Sequence, residues 1–216
     1  MHQPPLPPDA LLFIAPGCRH CPVVLTGLGH LMEEGLLGTL EVVNVAAHPE
    51  RARELGVRAA PWTRLGPFEL EGLHDETELR HWAGRAVAGP AGMADYLRHL
   101  LSSGRRAAVA DKLRREPRHL EALVLLLGDL ETSIDARLGI MAILEELAET
   151  QILEALVDPL GQLTRHAEAR VRTDACHALG LTGSPAARPY LEACLTDGDD
   201  DVREAAVEAL ETIDET

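Results

Sequence analysis

The chain has 216 residues, room for one large domain or two small ones. Its apolar content of 46% suffices for a core, and 35 acidic against 20 basic side chains give a net charge of −15 with His neutral. That balance argues against a basic nucleic-acid footprint and against an electrostatic hold on an anionic membrane, and no run of about 18 apolar residues is present to span one. The Pro-rich start, 1–9, lacks the basic and apolar regions of a signal peptide, so a cytoplasmic protein is expected. In that reducing compartment the four cysteines are expected as thiols or chemistry-bearing groups, not structural disulfides. The first 90 residues carry 7 basic and 11 acidic side chains, the other 126 carry 13 and 24, so the acidity sits mainly in the second part. Solubility accounts for it.

Taken in order, the apolar run 11–14 reads as a buried strand. The loop Ala15-Pro16-Gly17 follows, and helical spacing then runs from Cys18 to about Leu36, with Val23, Val24, Leu28 and Leu31 on one side. Residues 40–45 form a second strand and 49–55 a short helix, with Pro49 suited to its first turn. Two strands, 62–65 and 68–70, flank Gly66-Pro67 as a hairpin. A last helix covers about 75–87, where Asp75 and Glu78 have capping-box spacing. The order is β-α-β-α-β-β-α. Gly89-Pro90-Ala91-Gly92 breaks the chain, and only helical segments follow: about 93–103, 106–115, 118–130, 135–148, 152–165, 169–180, 185–195 and 200–213. The expected domains are therefore 1–90 and 91–216.

Cys18-Arg19-His20-Cys21 is the strongest chemical signal. Placed at a helix start, Cys18 would meet free backbone N–H groups and the positive end of the helix dipole, both of which favour thiolate. Cys21, three residues on, is placed to resolve a mixed disulfide at Cys18. A C-x-x-C between strand and helix resembles the thioredoxin-like family, at glutaredoxin size, over about 10–88. Pro22 after the pair is similar to the C-x-x-C-P of glutaredoxin-like domains. The resemblance implies that Pro61 is the family's cis-proline beside the cysteines and that Gly72 is the glycine after the last strand. It also implies a substrate groove lined by Arg19, Ala60 and Trp62. Leu12 stands where thioredoxins carry a buried Asp, so proton handling differs. His20, as an imidazolium, would stabilise the thiolate and make the disulfide more oxidising. Structural zinc wants four ligands, and no second C-x-x-C is present.

The helical part contains a repeat. Val171-Arg172-x-x-Ala175-x-x-Ala178-Leu179 recurs as Val202-Arg203-x-x-Ala206-x-x-Ala209-Leu210, with a looser copy beginning at Ala136-Arg137. Such helix pairs bury their apolar stripes by stacking. This region, roughly 118–214, resembles short HEAT-like repeats, which implies a scaffold or docking surface for a protein partner. By the repeat, Cys176 takes the slot of Val207 and Cys194 that of Leu163, so both read as core thiols, and His177 as a surface residue. Arg172 and Arg203 are expected to pair with acidic groups of a neighbouring repeat. Asp75 reads as a helix cap in preference to a glutathione contact, and the acidic run 197–201 as a turn capping the last helix. No cofactor motif is read.

The expected whole is an α/β thioredoxin fold followed by an all-α HEAT-like solenoid. It would act as a thiol–disulfide oxidoreductase in which Cys18 attacks, Cys21 resolves, His20 tunes and Pro61 shapes the groove. Glutathione or a reductase would donate electrons. The alternative is a non-enzymatic scaffold whose cysteine pair senses redox state or holds a metal.

Overall fold

An unbroken apolar strand fits only where both sheet faces are covered, and β1 (Ala10–Ile14) takes the second place in a four-stranded sheet ordered β2-β1-β3-β4. The computed structural model describes residues 6–148 and 150–215. It divides into two units, Met1–Met93 and Ala94–Thr216.

In the first unit β2 (Leu40–Asn44) pairs parallel with β1, which requires a crossover, and α1 (Cys21–Glu33) supplies it. On the other side β3 (Trp62–Leu65) runs antiparallel to β1, and β4 (Phe68–Glu71) antiparallel to β3. The two-residue link Gly66-Pro67 needs glycine twice over. Gly66 has φ +56°, and a Cβ there would sit 3.0 Å from that of Ala86.

Side chains alternate across the sheet. Leu11, Phe13, Val43 and Trp62 share one face and pack with Ala52 of α2 (Pro49–Glu54). The opposite face meets α1 and α3 (Glu76–Ala86), where Phe68 and Trp82 stack edge to face at 5.4 Å. Val24, Leu28 and Leu31 of α1 are buried as the helical spacing requires, whereas Val23 is half exposed and departs from that expectation. Asp75 and Glu78 form the capping box: the Asp75 carboxylate accepts from the Glu78 N–H at 2.9 Å, and Glu78 accepts from the Asp75 N–H at 3.1 Å. Outside, Arg80 bonds Glu34 and Glu76, and His30 meets Glu76 at 2.7 Å. The His30 pairing raises its affinity for a proton, but exposed pairs of this kind add little stability.

Gly89 to Gly92 do not form a loop. They are the first turn of α4 (Gly89–Ser102). Pro90 lacks only an N–H that a first turn leaves unpaired, and a Cβ on Gly92 would lie 1.9 Å from the Arg85 carbonyl oxygen. The boundary between the units falls inside this helix.

The second unit is helical throughout its described residues. It contains α5 (Arg106–Arg115), α6 (Glu121–Gly128), α7 (Ile134–Leu147), α8 (Val157–Leu163), α9 (Ala169–Leu181), α10 (Arg188–Cys194) and α11 (Asp200–Glu215). Short 3-10 turns at Pro117–His119, Gln151–Leu156 and Pro185–Ala187 begin what the spacing reads as longer helices. The repeated positions Ala136, Val171 and Val202 are buried, as are Ile140, Ala175 and Ala206, and Ile143, Ala178 and Ala209. Small residues where α9 meets α11 let those two helices approach closely.

Gly180 of α9 is a close case against backbone, because a Cβ would stand 2.9 Å from Ala209 Cβ and 3.0 Å from its Cα. Gly180→Ala is expected to lower stability by about 1–2 kcal/mol in urea denaturation, since α11 must shift. Gly84→Ala, in open space on α3, should raise it by up to about 1 kcal/mol. The same sign for both would reject the packing argument.

The repeat arginines tie the unit together. Arg137, 7% exposed, bonds Asp174 of α9 and donates to the Leu127 carbonyl at 3.0 Å. Arg172 grips Asp197 with two hydrogen bonds of 2.7 and 2.8 Å. Arg203 differs, since its carboxylate partner is Asp200 in its own first turn, and it donates to the Asp197 carbonyl at 2.7 Å. The acidic run is thereby accounted for, with Asp199 also accepting from the N–H groups of Asp201 and Val202 at the head of α11.

Candidate functional site

The loop after β1 turns at Gly17, with φ +75°, where the Cys18 N–H bonds the Ala15 carbonyl at 3.2 Å. The chain does not enter α1 at Cys18. The helix begins at Cys21, because Pro22 is suited to a first turn and not to a position deeper in a helix. Cys18 therefore precedes the helix and does not share a face with Cys21. The donor expected from the helix end is still present: the Cys21 N–H points at Cys18 Sγ, 3.1 Å away.

Cys18 and Cys21 are joined as a disulfide, with Cα atoms 5.5 Å apart. Their surroundings differ. Cys21 is buried at 5% exposure, whereas Cys18 is partly open to solvent. Cys18 Sγ also lies 3.7 Å from the Ala60 carbonyl oxygen. The Ala60–Pro61 peptide is cis, Pro61 is buried, and its carbonyl accepts from the Gly72 N–H at 2.9 Å. Three segments far apart in sequence, around residues 18, 60 and 72, thus meet at one end of the sheet.

One site residue does not behave as the sequence reading expects. Trp62 is 2% exposed and stacks edge to face on Phe13 at 5.8 Å, so it fills the core under the sheet and lines no groove. Its position opposite Phe13 in the β1–β3 register makes this unavoidable. His20 Nε2 accepts a hydrogen bond from Arg19 Nε at 3.1 Å. Arg19 itself is exposed and Ala60 partly so.

The spacing gives no sign of an adjacent surface cavity of about 390 Å³, lined by Pro22, Val23, Thr26, Gly27 and Glu76. The signal was Val23, an apolar residue next to Pro22 that the helix leaves outside. In the second unit an apolar cavity of about 400 Å³ lies between α6 and α8, lined by Val124, Leu125, Pro159 and Leu163 among others. Ile134 and Leu138, one turn apart on α7, are 70% and 64% exposed. Among the described residues no three His, Cys, Asp or Glu side chains gather to hold a metal ion, and no helix is long and apolar enough to cross a membrane.

Residues 120–211 match the family profile of HEAT repeats. That span begins just before α6 and ends within α11, and it includes all three copies of the repeated arginine motif. No curated protein matches the chain.

Proposed function

We propose that the first unit is a thioredoxin-like domain, and that the chain is a cytoplasmic thiol–disulfide oxidoreductase whose HEAT-like repeats dock a protein partner. The carrying observation is the inequality of the two sulfurs, one partly open and one buried, with a backbone N–H directed at the open one. An N–H donated to sulfur favours thiolate, the nucleophilic form. Reduced Cys18 attacks a partner disulfide and expels one partner thiolate. Cys21 then attacks Cys18 Sγ, releases the second partner thiol and leaves the Cys18–Cys21 disulfide. Glutathione or a dithiol reductase returns the two electrons. In this reading the thiolate owes its stability to the Cys21 N–H, and His20 serves through its bond with Arg19.

A second reading takes the repeats as the working part and the cysteines as a redox sensor, and the HEAT match over 120–211 favours it. Equilibration of the full chain with glutathione buffers separates the two. A Cys18–Cys21 potential between about −270 and −120 mV, the span of known exchange catalysts, supports exchange. A pair that is oxidised only under conditions harsher than those buffers supports the second reading.

A further inference from the structure

The cavity of about 390 Å³ beside the cysteine pair is built by two helix starts. Val23, Thr26 and Gly27 stand three and four residues apart on α1 and share one face, and Pro22 adjoins them. Gly27 must be bare. A Cβ there would meet Leu79 Cδ1 at 3.0 Å and Glu76 Cα at 3.4 Å, so glycine lets the first turn of α3 lie against α1. Val23 lines the cavity and is 50% exposed. Helix propensity gives no reason for a β-branched residue at that position.

The cavity offers no free charge. Its lining is mainly apolar, and its one ionic residue, Glu76, has both carboxylate oxygens engaged, with His30 at 2.7 Å and Arg80 at 2.9 Å. It also lies within reach of the exchange site. Cys18 and Cys21 have Cα atoms 5.5 Å apart, and Cys21 and Val23, two residues apart on a helix, are separated by about 5.4 Å. Val23 is thus no more than about 11 Å from Cys18, a span that an extended chain covers in about three residues.

We propose that this cavity is a specificity subsite of the exchange site and takes an apolar side chain, of leucine or phenylalanine size, two or three residues from the cysteine that Cys18 attacks. Any chain bonded through sulfur to Cys18 begins beside the cavity, so the occupant is the partner's own segment. The inference rests on disulfide exchange at Cys18 and Cys21. Reduced Cys18 attacks the partner disulfide and expels one partner thiolate, and Cys21 then displaces the second. The apolar side chain in the cavity holds the segment in place for the first attack. Two thiols of this chain are oxidised and one partner disulfide becomes two thiols.

The test uses the full chain, reduced beforehand and freed of reductant, against symmetrical disulfides of a short peptide with its cysteine in the middle. Leucine, lysine or serine stands two and three residues from that cysteine on both sides. Wild type should reduce the leucine peptide about tenfold faster than the serine peptide, the effect of partly burying one such side chain, and the lysine peptide no faster than the serine peptide. Val23→Ser should cut the ratio of leucine to serine rates by about threefold or more. That ratio is taken within each protein, so a general loss of activity does not move it. A ratio near unity in wild type, a preference for lysine, or a ratio that Val23→Ser leaves in place would overturn the proposal. Hydroxyethyl disulfide separates this failure from failure of exchange itself. A chain that reduces it without favouring the leucine peptide lacks the subsite alone, and one that reduces neither it nor any peptide lacks the exchange on which the subsite rests.

Discussion

Cys18→Ser is expected to abolish disulfide exchange, and Cys21→Ser to leave the chain trapped on its partner as a mixed disulfide. The asymmetry follows from the site. Cys18 is the sulfur with solvent access and with the Cys21 N–H directed at it, so its loss removes the nucleophile itself. No neighbouring sulfur substitutes, because Cys21 is 5% exposed and meets a partner only through Cys18. The Cys21→Ser chain keeps the nucleophile and the backbone N–H and loses only the resolving step. The first attack should proceed and the product should accumulate. The check is turnover with a small dithiol and a disulfide substrate, read beside a non-reducing gel. Undiminished turnover by Cys18→Ser would sink the mechanism. Failure of Cys21→Ser to trap any adduct would remove the resolving role while leaving a one-cysteine exchange.

The first unit was legible where local rules act alone. The β-α-β-α-β-β-α order came from apolar runs broken by Gly and Pro, and the structure has that order. The Asp75–Glu78 box could be read because capping depends on residues three apart. The repeat in the second unit was legible for another reason: Ala and Val recur where helices touch, so packing is written into sequence period. The misreadings share a cause. The place of Trp62 after Pro61 suggests a groove residue, yet its side chain direction is set by pairing with Phe13 across the sheet. Gly-Pro-Ala-Gly reads as a break because Gly and Pro usually are, but at a helix start Pro is favoured and Gly92 fits where no side chain would. By contrast Cys176 and Cys194 read as core thiols, and both are buried and free.

The largest stability effect is expected at the chain's single lysine. Lys112 of α5 is 2% exposed, and its ammonium group bonds Glu116 at 3.0 Å. Burial pushes the Glu116 carboxyl up, but the Lys112 ammonium, with hydrogen bonds from Arg118 and His119, outweighs it and carries the group from an ordinary 4.5 down to about 2. A carboxyl depressed by folding stabilises fully above its unfolded value and loses that contribution as pH falls toward its folded value. The contribution is therefore present above pH 4.5 and drains away toward pH 2. Its size is about 3 kcal/mol, from the shift at 1.36 kcal/mol per unit. Glu116→Gln should remove about that much at pH 7, because it strips the charge and leaves a buried ammonium with a weaker acceptor. The gap between wild type and variant should close as pH falls to about 2 and below, where the Glu116 carboxyl takes up its proton. Lys112→Met in the Glu116→Gln background should restore a large part of the loss, since a well-packed apolar chain replaces an unpaired charge. Urea denaturation at several pH values reads all three. A gap that holds constant down to pH 2 would mean that the contact works by shape alone and that the ion pair contributes nothing.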